Sequence, residues 1–174
     1  GSVNAIYNWP AIFDEPTLVQ LDDINNDGTP ELGLSGIHNE LSRPQMIVRD
    51  GVDGTAFTKY SFPSIFHSTQ YKRFSDVNSD SVDDIAMMGR LLRNEKVQIK
   101  VTDAVSGELI HAYTFPNNWD DVSFHKLSDI NHDGVNDWGL LGKNKVDGRW
   151  QLIQKDGSDP RGVLQIHAWP GDFV

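Results

Sequence analysis

Cysteine is absent from the 174 residues, which excludes disulfides, thiolate metal sites and cysteine nucleophiles together. Positive charge is scarce: 15 Lys and Arg stand against 25 Asp and Glu, for a net charge of −10. Binding a phosphate backbone requires clustered basic side chains, so the balance disfavours nucleic acid and suits the holding of cations. No apolar run approaches the ~18 residues that a membrane-spanning helix needs, and no segment keeps a helical spacing of apolar residues. Hydrophobic residues at 38% and charged residues at 23% are the composition of a folded protein. The leading Gly1-Ser2 reads as a cloning remnant.

What the chain does contain is a repeat. Asp23-Ile24-Asn25-Asn26-Asp27-Gly28 returns as Asp76-Val77-Asn78-Ser79-Asp80-Ser81 and again as Asp129-Ile130-Asn131-His132-Asp133-Gly134, each time after a step of 53 residues. Gly36, Gly89 and Gly142 keep that step, as do Asp50, Asp103 and Asp156, and the aromatic series Phe13, Phe66 and Trp119. An aromatic-Pro pair closes each unit at Phe62-Pro63, Phe115-Pro116 and Trp169-Pro170. The units are therefore residues 10–62, 63–115 and 116–169 of one repeat domain, with a single residue inserted between Asp156 and Gly162 in the last.

Each unit reads as four short strands. Residues 123–127 run into the acidic loop and residues 84–88 or 137–141 leave it, alternating around a small residue (Gly33, Ala86, Gly139). Residues 97–101 alternate cleanly, and residues 109–115 end at a proline that cannot extend a ladder. The expectation is an all-β fold of three four-stranded antiparallel blades of β-propeller type. Leu32, Ile85 and Trp138, with Leu34, Met87 and Leu140, are expected to be buried. Residues 3–9 resemble the last strand of a preceding unit, so the three blades are expected to be a piece of a larger propeller or to close by oligomerisation. The alternative is a β-trefoil, whose three units close by themselves.

The loops carry the chemistry. Their pattern, Asp-x-Asn-x-Asp-Gly-x-x-Asp/Glu, supplies side-chain oxygens at positions one, three, five and nine and a carbonyl at position seven. Calcium takes six to eight such oxygens. The candidate ligands are Asp23, Asn25, Asp27, Thr29 and Glu31 in the first loop, and Asp76, Asn78, Asp80, Val82 and Asp84 in the second. Asp129, Asn131, Asp133, Val135 and Asp137 form the third set, so up to three Ca2+ are expected. Position six should take a positive φ, which suits Gly28 and Gly134 and makes Ser81 the reason to expect the second site to be weakest. Asp83, beside Asp84, should work the other way by adding charge. Ile24, Val77 and Ile130 should turn away from the ion and anchor the loop to the core. An EF-hand loop would place a carboxylate at position twelve and enter a helix; here position twelve is Leu34, Met87 or Leu140, inside a strand. The metal-free rival is an Asx-rich turn that bonds its own backbone.

Residues 23–31, 76–84 and 129–137, with their flanking strands, resemble the FG-GAP/VCBS repeat family, which includes the calcium-bearing blades of integrin-α-like propellers. The resemblance implies a β-propeller with calcium loops between strands of a blade, in extracellular or cell-surface adhesion and carbohydrate-active proteins. The chain departs from the family in having about three units, and in Ser81 where the loop has glycine.

No catalytic constellation is recognisable. His38, His67, His111, His125, His132 and His167 form no His-Glu-x-x-His pair, and neither a Gly-x-Ser-x-Gly elbow nor a phosphate-binding loop is present. The chain is expected not to be an enzyme. It is expected to be a calcium-stabilised module that binds a protein or glycan in adhesion, or else an accessory structural segment of a larger secreted or carbohydrate-active enzyme, with no ligand of its own but calcium. Its neighbours would be further blades or a second copy of itself.

Overall fold

The computed structural model describes residues 6–159 and 161–170. Its elements are all strands: β1 (Phe13–Gln20), β2 (Leu32–His38), β3 (Arg43–Arg49) and β4 (Ala56–Ser61), then β5 (Phe66–Arg73), β6 (Ile85–Leu91), β7 (Val97–Thr102) and β8 (Leu109–Thr114), and finally β9 (Trp119–Lys126), β10 (Trp138–Asn144), β11 (Trp150–Lys155) and β12 (Val163–Ala168). They form three four-stranded antiparallel sheets in sequential order, β1 to β4, β5 to β8 and β9 to β12. Among the described residues no strand pairs outside its own unit. The pairing between units that a closed trefoil barrel requires is therefore not found.

The sheets stack through their faces. Val19, Leu21, Met46, Val48 and Tyr60 of the first unit share one core with Phe66, Tyr71, Ile85 and Met87 of the second. The opposite face of the second sheet, with Phe74, Ala86, Met88, Ile99 and Tyr113, shares another with Trp119, Phe124, Trp138 and Leu140 of the third. Successive residues of β6 thus serve different cores, as the two-residue period of a strand requires. Trp138 is fully buried, with Tyr113, Phe74 and Phe115 packed edge-on against it at centroid distances of 4.7, 6.4 and 5.9 Å. Each such side chain removed from water stabilises the stack by about 1.5–3 kcal/mol.

Among the described residues the end sheets have a neighbouring sheet on one side only, and their burial shows it. Ile85, Met87, Trp138 and Leu140 are buried as expected, whereas Leu32 and Leu34 are only half-buried, because no sheet covers the outer face of the first unit. Leu18 on that sheet is 59% exposed, although its equivalents Tyr71 and Phe124 are buried. Residues 6–9 form no strand, and residues 3–5 lie outside the described residues. Among the described residues the expected extra strand is not found; instead the Tyr7 hydroxyl donates to Gly51 O at 2.6 Å and Trp9 Nε1 to Ile47 O at 3.2 Å.

The first strand of every sheet is longer than its apolar pattern indicates and carries a bulge. Glu15, Ser68 and Asp121 occupy equivalent positions with φ of 48°, 52° and 49°, and the registers of β1 and β5 shift there. The repeated glycine faces the repeated aromatic at this bulge. A Cβ on Gly142 would stand 2.5 Å from the Trp119 ring, and one on Gly36 would stand 2.9 Å from Phe13 Cβ.

Candidate metal centre

Each acidic loop joins the first two strands of its sheet, β1–β2, β5–β6 or β9–β10. The position-one carboxylate closes the loop by accepting two backbone N–H groups. Asp23 takes those of Asp27 and Gly28 at 3.0 and 2.8 Å, Asp76 those of Asp80 and Ser81 at 3.1 and 2.9 Å, and Asp129 those of Asp133 and Gly134 at 3.2 and 2.9 Å. The position-three amides of Asn25, Asn78 and Asn131 accept from the position-five N–H, and the position-five carboxylates of Asp27, Asp80 and Asp133 accept from Thr29, Val82 and Val135 at 2.8–2.9 Å. These are Asx turns in series. Among the described residues no three His, Cys, Asp or Glu side chains are gathered closely enough to hold a metal by themselves; the candidate sets lean also on an amide and a backbone carbonyl.

Backbone strain falls where the loop must wrap. Gly28, Ser81 and Gly134 have φ of 91°, 75° and 95°, so the second loop holds a non-glycine residue in the left-handed region. Position four is left-handed as well, in Asn26, Ser79 and His132, a feature that the sequence pattern did not reveal. Of the three position-two anchors, Ile24 is buried and Val77 half-buried, whereas Ile130 is 39% exposed. The third loop lies beside the uncovered face of the last sheet, so its anchor has nothing to enter.

Position nine separates the three loops. Glu31, Asp84 and Asp137 are fully buried, and one oxygen of each accepts the position-two N–H, from Ile24, Val77 and Ile130 at 2.7, 2.8 and 2.6 Å. The second oxygen has no partner in Glu31 (Oε1) or in Asp84 (Oδ1). In Asp137 it accepts the Gly157 N–H at 3.0 Å, from the turn that contains the inserted residue. Burial pushes the Asp84 carboxyl up to about 7 against the Val77 N–H, with Asp103, Asp80 and Asp76 adding repulsion. Burial also raises Glu31, opposed by the Ile24 N–H and reinforced by Asp23 and Asp27. A buried carboxylate oxygen without a hydrogen bond is unfavourable unless a cation neutralises it. The first two loops therefore fit a hard cation at Glu31 and Asp84; the third already satisfies its buried carboxylate from its own backbone.

Two further sets of residues reach the loops. Asp50 and Asp156, from the turns between the third and fourth strands, accept from Asn25 and Asn131 at 2.8 and 3.1 Å; Asp103 is the equivalent residue of the second unit. Their 53-residue spacing was the signal for this role. Asp83 behaves otherwise than its sequence position suggests. Its Oδ2 accepts from Arg73 Nε at 2.7 Å and Lys126 Nζ at 3.0 Å, which against its burial hold its carboxyl below the ordinary range. The expectation that Asp83 supplies charge to the second loop is thereby corrected: two cations already neutralise it. No protein-family model and no curated protein matches this chain.

Proposed function

We propose that the chain is a calcium-binding repeat module of the FG-GAP/VCBS kind, its three sheets being propeller-type blades that calcium stabilises, in an extracellular or cell-surface protein that binds protein or glycan. The observation that carries the metal reading is the buried position-nine carboxylate, held in register by one N–H and left with an open oxygen in Glu31 and Asp84. Oxygen-only donors of mixed carboxylate, amide and carbonyl type are the set that calcium prefers. Calorimetric titration of the chelated chain should show calcium uptake at the first two loops; no heat and no rise in melting temperature would remove this reading. No catalytic role is assigned.

A second reading, an accessory structural segment of a larger protein, is favoured by the uncovered faces of the end sheets. Leu18, Leu32 and Leu34 occupy the positions that Tyr71, Ile85 and Met87 fill inside the stack. Sedimentation of the isolated chain tests it, since a monomer at high concentration would show that these faces need no cover.

A further inference from the structure

The far end of the strands from the metal loops holds a second feature. Between the first and second sheets, beside the bulges at Glu15 and Ser68, lies a groove of about 350 Å3. Its rim carries Asp14 and Glu15, its walls Thr17, Thr69 and Gln70, and both carboxylates are exposed. Tyr71 also lines it, with a buried hydroxyl that has no hydrogen-bond partner. An equivalent groove lies between the second and third sheets, lined by Ser68, Gln70, Met88 and Asp121. The gap is thus a product of the repeat, but its chemistry is not, and a recognition site needs residues that differ between units.

The charges of the first groove are unbalanced in a way that the repeat makes visible. The equivalents of Asp14 are His67 and Asp120, and each has a side-chain partner within its own unit: Glu95 Oε1 at 3.1 Å from His67 Nε2, and Lys145 Nζ at 3.1 Å from the Asp120 carboxylate. The position equivalent to Lys145 in the first unit is Asn39, and among the described residues Asp14 and Glu15 form no ion pair. Lys72, the one cation lining the groove, is drawn elsewhere. Its Nζ donates to Phe124 O at 2.6 Å and sits 5.0 Å over the Phe124 ring. Two carboxylates beside hydroxyl and amide walls, with no counter-ion of their own, match a guanidinium or ammonium, and a planar guanidinium can address a carboxylate through paired N–H groups.

We propose that this groove is a docking site for a basic side chain, arginine above all, of a peptide or protein partner. The site needs no metal and is separate from the loops, so its failure and that of the calcium reading can be told apart. The test is an amide-resolved NMR titration of the whole chain with an acetylated and amidated Gly-Arg-Gly peptide, run in calcium and in chelator. Gly-Glu-Gly and methyl glucoside serve as comparison probes. The arginine peptide should give saturable shifts at Thr69 and Gln70 that fade at high salt. The doubly substituted Asp14→Asn, Glu15→Gln chain, with its fold checked by an unchanged melting curve, should bind at least about five-fold more weakly. Absence of saturable shifts, equal shifts with the glutamate peptide or the glucoside, or undiminished binding by the substituted chain would each overturn the proposal. Loss of calcium uptake with the groove shifts intact would overturn only the metal reading.

Discussion

Arg73 and Asp83 form the middle of an ion chain that crosses all three sheets. Arg73 Nε meets Asp83 Oδ2 at 2.7 Å while Arg73 Nη2 meets Asp22 Oδ1 at 2.9 Å, and Lys126 reaches Asp83 at 3.0 Å. Asp22 Oδ2 also accepts the Asp83 N–H at 2.9 Å, and Asp83 Oδ1 accepts the Asp76 N–H at 3.2 Å. Asp83 thereby ties the three units together at their loop ends, the third through its carboxylate and the first through its N–H and through Arg73.

Replacing Asp83 with Asn should therefore loosen the stack and leave the chemistry of the second loop in place. Hydrogen bonds to charged groups contribute about 1.5–3 kcal/mol, reduced here because Arg73 and Lys126 are more than a third exposed. The expected loss is on the order of 1–2 kcal/mol in denaturant unfolding, with calcium affinity within about two-fold of the parent. A variant as stable as the parent but much weaker in calcium binding would return Asp83 to the role that its sequence position suggested.

The unequal position-nine carboxylates predict substitutions of opposite sign. In chelator, Glu31→Gln should leave stability unchanged or raise it, because a neutral amide can still accept from Ile24 and removes a buried charge with an unpartnered oxygen. Asp137→Asn should destabilise by about 1–3 kcal/mol, since its amide group would oppose either the Ile130 or the Gly157 N–H. Thermal melts of both variants in chelator decide the point. Equal losses would show that the open oxygen of Glu31 has no energetic consequence.

How far these features were visible beforehand follows from whether they obey the 53-residue step. The sheets and the left-handed sixth loop position recur with a repeated side-chain pattern that specified them, whereas the left-handed fourth position (Asn26, Ser79, His132) and the bulge (Glu15, Ser68, Asp121) recur on residues of changing type, so no repeated side chain signalled them. The ion chain breaks the step: Gln20, Arg73 and Lys126 are equivalent, as are Pro30, Asp83 and Asn136, and no single unit signals a bond made between units. Strand β9 begins at Trp119 and not at residue 123, where the alternation starts; a bulged edge accepts charged residues such as Asp120 and Asp121 that a regular alternation does not. The half-burial of Leu32 and Leu34 reflects a missing neighbour, which a periodic pattern cannot express.

The metal-free chain should become more stable on mild acidification. Asp84 has a folded pKa of about 7 against about 3.9 when unfolded, so between those values the native state binds more protons than the unfolded state. Stability then falls as pH rises through that window, and Glu31, shifted in the same direction, adds to the effect. His125 opposes it, since burial and Lys72 hold its pKa below the usual range. In chelator the melting temperature should be higher at pH 5 than at pH 7.5, and Asp84→Asn should flatten the difference. A melting temperature that climbs with pH in the parent would contradict the burial of an open carboxylate at Asp84.

The ranking of the three loops rests on two independent terms. A non-glycine residue held at the φ of 75° seen in Ser81 costs on the order of 1 kcal/mol, about five-fold in affinity, and this weakens the second loop relative to the first. The first loop combines glycine at position six with the open oxygen of Glu31, so it should fill first. The third has the glycine, but its Asp137 is already satisfied, and its Asp133 accepts the Ser158 hydroxyl at 2.7 Å, so a cation must displace bonds that the loop makes for itself. Ser81→Gly should tighten the second loop about five-fold and leave the other two unchanged. Loop-resolved calcium titration of the parent and of Ser81→Gly checks both terms: if the third loop fills before the first, the open oxygen of Glu31 does not govern affinity, and if the glycine leaves the second loop unaltered, the strain at Ser81 does not.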